Sequence, residues 1–373
     1  MIVGVLKEPA FESRVSLLAE AVTALVKKKV EVWVEAGAGI SAYCGDDDYR
    51  KAGASIRSRE EALGGADILL SIHYNDIPGT LAHKVLIGVY QPLYNSAHLP
   101  IWAKQHITSF SLDMLPRTTR AQSMDVLSSQ ANIAGYKAIL LAAGLSPHYF
   151  PMMMTAAGSI APAKVLILGA GVAGLQAIAT ARRLGAVVEV FDTRPAVKEE
   201  VMSLGGKFIE VEGAADTSRA GGYAVEQSED FQQRQKQKIA ESIARADIVV
   251  TTAQIPGKRA PVLVSGAMIE VMRKGSVIID LAAATGGNTE VTRNNETVFY
   301  KGVIVVGNSA LPATMPYDAS KLYGKNVLNF LQLITGKEGE LNLNFGDELV
   351  KGCCITHNGE VVHERLRGLS QEL

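Results

Sequence analysis

The stretch KVLILGAGVAGLQAIATARRLG, residues 164–185, decides the fold. An apolar run leads into GAGVAG at 169–174, a helical pattern follows, and Asp192 ends the next apolar run. This is the full dinucleotide-binding fingerprint. Gly169, Gly171 and Gly174 would give the tight turn, the close approach of a pyrophosphate and close helix–strand packing. The pyrophosphate would lie against the helix N-terminus, whose N–H groups are free to donate.

The residues after the second strand bear on the choice of dinucleotide. Asp192 is expected to accept hydrogen bonds from the adenosine ribose hydroxyls and to repel a 2′-phosphate, which favours NAD over NADP. Arg194 lies nearby in the sequence and could instead accommodate a 2′-phosphate. The sequence favours NAD(H) as cofactor and leaves the contribution of Arg194 open.

Short apolar runs alternate with helical patterns on both sides of this stretch, which is typical of parallel βαβ units. The sequence therefore predicts an α/β fold of two Rossmann-like domains with parallel sheets. Asn358-Gly359 between two alternating runs predicts a C-terminal β-hairpin with a type I′ turn. The predicted strand runs are 2–6, 31–37, 66–72, 84–90, 107–114, 164–168, 187–193, 207–212, 247–253, 276–282 and 303–309.

The sequence predicts two domains, of which the first is discontinuous. We predict a discontinuous N-terminal domain, 1–126 plus 315–373, and an NAD(H)-binding domain, 127–314.

The beginning of a long polar, glutamine-rich segment, near 213–230, predicts a mobile loop. Residues 138–163 carry no charge, but Gly and Pro interrupt them, so we expect a buried helix end and a packed loop, with Met152–Met154 in packing or an interface. Ser16 is expected to cap the first helix.

Composition narrows the class of protein. The chain has 373 residues, a formal net charge of -1, 47% hydrophobic and 20% charged residues. It therefore predicts no binding to nucleic acid, no attraction to anionic lipid and no intrinsic disorder. Three cysteines exclude a disulfide framework and favour a reducing compartment. The N-terminus does not read as a signal peptide, no direct membrane insertion is expected, and no metal-ligand pattern stands out.

A second polar constellation lies in MLPRTTRAQSMDVLSSQ, residues 114–130. It contains Arg117, Gln122, Asp125 and Ser128. On a helix the last three would share one face, where they could orient a nicotinamide carboxamide and its ribose. Ordinary helix capping and surface polarity explain the same spacing, and both readings remain open on the residues alone.

Three runs carry a family resemblance: PRTTRAQSMDVLSSQANIAGYKA, FPMMMTAAGSIAPAKVLILGAGVAGLQAIATARRLGA, and IPGKRAPVL with SVIIDLAAATGGN. Together they resemble the NAD(H)-binding α-subunit component of proton-translocating NAD(P) transhydrogenases. The resemblance implies a homodimer of two-domain subunits with the nucleotide in the interdomain cleft. It also implies hydride transfer from NADH to NADP⁺ on a separate NADP-binding component, with a membrane-spanning component coupling the transfer to proton movement. The chain would then be cytoplasmic, at the inner face of a bacterial membrane through its partners.

The same resemblance implies roles for particular residues. Gln254 and Gln227 depart from the family, which often has an apolar residue and Met at these positions. Because hydride transfer between two nicotinamides needs no acid or base, all roles are positional. The implied catalytic group is Arg117, Gln122, Asp125, Ser128 and, on the mobile loop, Tyr223. The implied cofactor contacts are Gly169, Gly171, Val172, Ala173, Gly174, Asp192, Thr193, Arg194, Gly222, Gln235 and Gln254.

Two alternatives stay open. Lys7-Glu8 and Arg14 look like the opening of alanine dehydrogenase, where an Arg holds the substrate carboxylate. Amine oxidation also needs a catalytic Lys and His. The corresponding segments offer Ser71 and His73, then Val89 and Tyr90, and Ala284 stands where that enzyme has a carboxylate. The second alternative is a non-catalytic NAD(H)-sensing module, which the glycine fingerprint alone does not separate from an enzyme.

Overall fold

The computed structural model describes residues 1–73, 81–211 and 229–367. The chain divides into a first unit, Met1–Gln130 with Ala313–Leu373, and a second unit, Ala131–Pro312. Each unit is built on its own mostly parallel sheet. The predicted α/β class is confirmed, although each large sheet has antiparallel pairing at one edge and a separate two-stranded sheet is antiparallel.

The sheet of the first unit forms from continuous apolar runs because both of its faces are buried. Val3 and Val5 pack into one hydrophobic cluster, whereas Leu69 and Leu86 pack into a second. The parallel strands run in the order β6-β5-β4-β1-β2-β3. They are β1 Ile2–Val5, β2 Glu31–Glu35, β3 Ser55–Arg57, β4 Ile68–Leu70, β5 Val85–Gly88 and β6 Thr108–Ser111.

A small antiparallel hairpin, β7 Met153–Thr155 with β8 Gly158–Ile160, occupies the segment expected to be a packed loop. That expectation is wrong, because every residue from Met152 to Ile160 is exposed. The absence of charge in this segment therefore reflects an apolar surface and not a buried loop.

The sheet of the second unit follows the glycine fingerprint. Alternate residues of its first strand enter two hydrophobic clusters, Val165 and Ile167 on one face and Leu166 and Leu168 on the other. The strand order is β11-β10-β9-β12-β13-β15-β14, parallel except for β14. The strands are β9 Lys164–Leu168, β10 Val187–Phe191, β11 Lys207–Phe208, β12 Ile248–Thr251, β13 Val277–Asp280, β14 Thr297–Tyr300 and β15 Val303–Val306.

The predicted C-terminal hairpin is confirmed. Strand β16, Cys354–His357, pairs antiparallel with β6 and with β17, Glu360–Val361. Asn358 and Gly359 both have positive φ, 48° and 87°, as a type I′ turn requires.

Helices cover the sheets of both units. The division between the units falls inside helix α5. The α-helices are α1 Ala19–Val26, α2 Asp46–Lys51, α3 Arg59–Gly65, α4 Leu99–Lys104, α5 Val126–Leu145, α6 Val172–Arg183, α7 Lys198–Ser203, α8 Glu229–Ile243, α9 Gly266–Glu270, α10 Pro316–Leu331, α11 Glu348–Cys353 and α12 Glu364–Arg367. Short 3₁₀ helices span Ile40–Ala42, Leu112–Met114, Thr119–Met124, Pro195–Val197, Ala283–Thr285 and Leu311–Thr314.

Helix α1 begins later than the sequence predicted. Ser16 does not cap it; the N-cap is Leu18, and no side chain caps the helix there. Val15, Leu17 and Leu18 are all buried, so this segment lies extended against the core before the helix starts.

The three cysteines, Cys44, Cys353 and Cys354, are all buried and unpaired. Burial raises the pKa of the Cys354 thiol to about 12. It raises that of Cys353 well above its ordinary value. These thiols therefore act as small apolar side chains of the first unit's core.

Candidate nucleotide site

The turn between β9 and α6 has a different structural reason for each of its three glycines. Gly169 has φ +107°, and a Cβ there would lie 2.3 Å from Thr252 Oγ1. A Cβ on Gly174 would lie 1.9 Å from the carbonyl oxygen of Gly169, so only glycine lets α6 pack this closely on the strand. A Cβ on Gly171 would meet no protein atom within 4 Å. The open space at Gly171 fits a bound phosphate group.

Helix α6 begins at this open turn. Gly171 is its N-cap, and no side chain caps the first turn. The first N–H groups of an α-helix have no partner inside the helix, and they carry the positive end of the helix dipole. Val172 is exposed and Ala173 half-buried. The residues present therefore fit a dinucleotide pyrophosphate, which would accept hydrogen bonds from the N–H groups of this first turn.

Asp192, just beyond β10, is tied to both the glycine turn and Arg194. One carboxylate oxygen, Oδ2, accepts a hydrogen bond from the backbone N–H of Ala170 at 2.7 Å. Arg194 donates to Oδ1 through its backbone N–H at 2.8 Å and Nε at 2.9 Å, and to Oδ2 through Nη2 at 2.8 Å. The side-chain hydrogen bonds that Arg194 donates to Asp192 raise the pKa of the Arg194 guanidinium. Asp192 therefore faces the site as half of an ion pair, with half-buried Thr193 between its members.

The constellation at 117–128 lies in the first unit and does not form one helix face. A 3₁₀ helix, Thr119–Met124, ends at Asp125, and α5 begins at the next residue. The predicted common helix face is wrong, because the backbone at Asp125 is extended. The structure brings Asp125 and Ser128 together instead: Ser128 donates through its backbone N–H at 2.9 Å and its Oγ at 2.6 Å. Arg117 and Gln122 are both exposed.

Two glutamines of the predicted contacts lie in the second unit. Gln254 is exposed and follows β12, and its Nε2 donates to the carbonyl oxygen of Leu281 at 3.0 Å. Gln235 is half-buried on α8. Gly222, Tyr223 and Gln227 lie outside the described residues, as does the predicted mobile loop apart from its last two positions.

Sequence reasoning missed two residues that shape the edge of this site. Thr252 Oγ1 donates to the carbonyl oxygen of Gly169 at 3.1 Å and so holds the glycine turn. Asp280 ends β13 with its side chain fully buried. The signal for Asp280 was present, since an acidic residue at the end of an apolar run had already singled out Asp192.

A second cluster of ionisable groups lies at the carboxyl ends of β1 and β4 in the first unit. Arg14 donates to both carboxylate oxygens of Glu12, through Nε at 2.8 Å and Nη2 at 2.6 Å, and its Nη1 donates to Gln130 at 2.8 Å. Burial opposes ionisation of Glu12, but hydrogen bonds from Arg14 and His73 lower its pKa to about 2. Burial raises the pKa of Glu8 to about 7. Arg14 is thus engaged by partners within the chain.

Across the ranges 1–73, 81–211 and 229–367, no group of three or more His, Cys, Asp or Glu side chains could hold a metal ion. None of the helices within those same ranges is long and apolar enough to cross a membrane.

Comparison with known proteins points to one family. The family described as "Alanine dehydrogenase/PNT, N-terminal domain" matches residues 4–134, and "Alanine dehydrogenase/PNT, C-terminal domain" matches residues 138–364. The chain is 44% identical over 369 residues to an NAD(P) transhydrogenase alpha-subunit chain of Rhodospirillum rubrum, with 96% of each chain covered.

Solved structures agree with this similarity. A transhydrogenase structure from Sinorhizobium meliloti superposes with a TM-score of 0.88 at 43% identity, covering 97% of this chain and 100% of that one. An L-alanine dehydrogenase structure has a TM-score of 0.82 at 24% identity, covering 100% and 99%, and shares the fold. These matches confirm the family resemblance of the motifs and the NAD(H) class of cofactor expected from the glycine fingerprint.

Proposed function

Because the chain belongs to the alanine dehydrogenase/PNT family and, within it, to the NAD(P) transhydrogenase alpha subunits, we propose that it binds NADH and donates hydride to NADP⁺ on a separate component. The observation that carries the proposal is the 44% identity to a transhydrogenase alpha subunit along 96% of both chains. The open glycine turn supports it, since that turn provides space and N–H donors for a pyrophosphate.

The chain's own residues bind and orient the nucleotide. Bound NADH supplies the hydride, and its transfer to another nicotinamide needs no proton at the reacting carbons. The first turn of α6 holds the pyrophosphate, and Asp192 with Arg194 contacts the adenosine ribose. Catalysis then consists of holding the donor ring at the correct distance and angle, which can contribute several orders of magnitude in rate.

The remaining predicted residues complete this proposal. Arg117, Gln122, Asp125 and Ser128 orient the nicotinamide carboxamide and its ribose. The hydrogen bonds between Asp125 and Ser128 fix the side chains of these two members before any ligand arrives. Gly222 and Tyr223 belong to a loop that excludes water, while Thr193, Gln235 and Gln254 contact the nucleotide.

The proposal includes partners and a place in the cell. An NADP-binding component receives the hydride, and a membrane-spanning component couples the transfer to proton translocation. The chain is then cytoplasmic and lies at the inner face of a bacterial membrane through these partners. Its formal net charge of -1 supports attachment through proteins, because it offers little attraction for anionic lipid.

We also propose that the chain is a homodimer, with the β7–β8 hairpin in the interface. Met152, Met154 and Ile160 are 61%, 75% and 48% exposed. A two-stranded hairpin is marginal in water by itself, and clustered exposed apolar side chains are typical of interfaces. Light scattering should give a dimer for the wild-type chain and a monomer for Met154→Asp. A monomeric wild-type chain would contradict the homodimer.

The first experiment is a titration of the purified chain followed by NADH fluorescence, with NADPH alongside. Tight NADH binding and weak NADPH binding are expected. Addition of an NADP-binding transhydrogenase component with NADP⁺ should then produce NADPH at the expense of NADH. NADH binding without any transfer to the partner would favour the sensing module.

A parallel assay with alanine and NAD tests the dehydrogenase alternative. Arg14, which would hold a substrate carboxylate in that enzyme, instead donates through Nε and Nη2 to Glu12 and through Nη1 to Gln130. We therefore expect no NADH from alanine. Alanine-dependent NADH formation would overturn the transhydrogenase proposal.

A further inference from the structure

A buried carboxyl group organises the loop after β13. The Asp280 side chain is fully buried and accepts four hydrogen bonds. Oδ1 accepts from the N–H of Ala282 at 2.9 Å; Oδ2 accepts from the N–H groups of Asn288 at 2.6 Å and Thr289 at 3.3 Å, and from Thr292 Oγ1 at 2.6 Å. These bonds fold the 281–292 segment back over the end of its own strand.

The turn within this loop requires glycine. Gly287 has φ +80°, and a Cβ there would lie 2.9 Å from Asp280 Oδ2 and 2.7 Å from Thr292. The loop can therefore close over Asp280 only with a residue that has no side chain and tolerates positive φ.

Asn288, which Asp280 holds in place, ties this loop to the one after β12. Its side chain is fully buried. Oδ1 accepts from the N–H of Ala253 at 3.0 Å, and Nδ2 donates to the carbonyl oxygens of Ala253 at 2.9 Å and Pro261 at 2.8 Å. A buried amide with three satisfied partners fixes the backbone that it contacts, because losing any of these bonds leaves a buried polar group unpaired. Gln254 adds a second tie through Leu281.

The position of these two loops in the sheet indicates which half of the nucleotide they adjoin. The chain reverses direction across the sheet between β9 and β12, and dinucleotides bind in the crevice at such a reversal. Asp192 lies just beyond β10, on one side of β9, and receives the adenosine half. The loops after β12 and β13 lie on the other side, so they adjoin the nicotinamide half.

We propose that Asp280 and Asn288 are positioning residues that fix the backbone at Ala253–Gln254 as the support for the nicotinamide half of the nucleotide. This inference rests on the proposed function, since it requires NADH in the site. Neither side chain needs to touch the nucleotide, because both are fully buried. They act through the backbone of a neighbouring loop.

The test compares two probes that occupy different parts of the site. NADH fills both halves, whereas 5′-AMP fills only the adenosine half. Asn288→Asp keeps an acceptor for the Ala253 N–H and loses the two donated bonds. Asp280→Asn replaces one carboxyl oxygen with a donor and serves if Asn288→Asp does not fold. Thr292→Val is the matched control, because it removes the bonds of the Thr292 hydroxyl to Asp280 and Thr289 and leaves the side-chain bonds of Asn288 in place.

We expect Asn288→Asp to weaken NADH binding by about tenfold or more, as expected for losing a buried hydrogen bond at the site. Binding of 5′-AMP should change less than about twofold, and the fluorescence of bound NADH should fall towards its value in free solution. Thr292→Val should change both affinities by less than about twofold. These limits reflect the position of the tie on one side of the crevice.

Equal weakening of NADH and 5′-AMP would overturn the inference, since a general loss of structure affects both halves. Wild-type NADH affinity in both Asn288→Asp and Asp280→Asn would overturn it as well. A wild-type chain that binds 5′-AMP but not NADH would contradict the proposed function itself. That result appears before any variant is measured, so the two failures are distinguishable.

Discussion

The two units contain the same local ion pair in two different surroundings. Glu12 and Asp192 are each followed, two residues later, by an arginine that donates to the carboxylate through its backbone N–H, Nε and Nη2. The backbone bonds of the arginines are 3.0 Å for Arg14 and 2.8 Å for Arg194. The same local arrangement, a carboxylate paired with an arginine two residues later, therefore occurs in both units.

What differs is the crevice beside each pair. In the first unit, β1 and β4 occupy the places that β9 and β12 occupy in the second. The carboxyl group of Glu8 lies at this edge and accepts N–H bonds from Ile72 at 2.5 Å and His73 at 3.2 Å. At the matching edge of the second unit, Gly171 leaves open space. The comparison teaches that the glycine turn, and not the ion pair, distinguishes the candidate nucleotide site from the packed edge of the first unit.

The largest expected effect is loss of the first unit's ion pair. In Arg14→Met, Glu12 keeps a side chain that is only 2% exposed and loses its bidentate partner. Glu12 then keeps only the bonds from His73 and from the backbone N–H of residue 14, and removing the bidentate partner of a buried charge should lower the free energy of unfolding at pH 7 by about 3 kcal/mol. Denaturant unfolding measures this, and Arg50→Met, in an exposed pair with Asp47, should cost less than about 1 kcal/mol. Equal losses in both variants would show that burial does not distinguish these pairs.

The next effect is a pH dependence due to Glu8. Its pKa rises from 4.5 to about 7 in the folded chain, with His73, Glu12, Arg14, Tyr90 and Tyr323 as the ionisable groups around it. The folded state therefore holds a proton that the unfolded state has released, so this contribution to stability is complete below pH 4.5 and is lost as the pH rises to about 7.

Glu8→Gln should remove that dependence. The wild-type free energy of unfolding should fall relative to the variant by about 2–3 kcal/mol between pH 5 and pH 8. Glu12→Gln is the opposing control. The pKa of Glu12 is lowered to about 2 in the folded chain, so the contribution of Glu12 to stability is present above pH 4.5 and is lost as the pH falls. Parallel stability curves for wild type and Glu8→Gln would contradict this assignment.

A smaller effect on folding, but a clear one on binding, is expected from Gly171→Ala. The added Cβ meets no protein atom within 4 Å and the backbone angles suit alanine, so the free energy of unfolding should change by less than about 0.5 kcal/mol. NADH affinity should fall by about tenfold, because the methyl group takes the space of the pyrophosphate. Gly174→Ala, whose Cβ would meet the backbone at 1.9 Å, should instead destabilise the fold. Unchanged NADH affinity in Gly171→Ala would place the pyrophosphate elsewhere.

The smallest expected effect concerns the choice between NADH and NADPH. In Arg194→Met the charge of Asp192 is no longer neutralised, so repulsion of a 2′-phosphate increases. The ratio of the NADPH to the NADH dissociation constant should rise by about fivefold to tenfold, or about 1 kcal/mol. Asp192→Asn should lower that ratio, because Arg194 becomes available to the phosphate. A lower ratio in Arg194→Met would mean that Arg194 strengthens the binding of NADH and not that of NADPH.

The strongest local signals in the sequence predicted the fold well. The apolar run of β9 with its glycines, and Asn358-Gly359, each determine their structure within a few residues. Weaker signals failed where tertiary packing decides: Ser16 is a suitable cap, but burial of Val15, Leu17 and Leu18 delays the helix. The exposed β7–β8 hairpin was missed because an apolar segment without charge is indistinguishable, in sequence, from a buried one.

The candidate site shows the same limit. The glycines were predictable because each performs its role through its own backbone. The pairing of Asp192 with Arg194 depends on side-chain direction within one segment, and the tie from Asn288 to Ala253 joins two segments; spacing in the sequence reveals neither. The roles of the residues at 117–128 and of the loop near Tyr223 stay predictions.

The burial of all three cysteines limits the access of thiol reagents to them. Thiolates are the reactive form, and burial raises the pKa of Cys353 and Cys354 far above neutral pH. An introduced cysteine at an exposed position, such as Met154→Cys on the hairpin, would then carry a fluorophore or spin label at that position alone. A label at that position would allow distances between the two copies of the proposed homodimer to be measured.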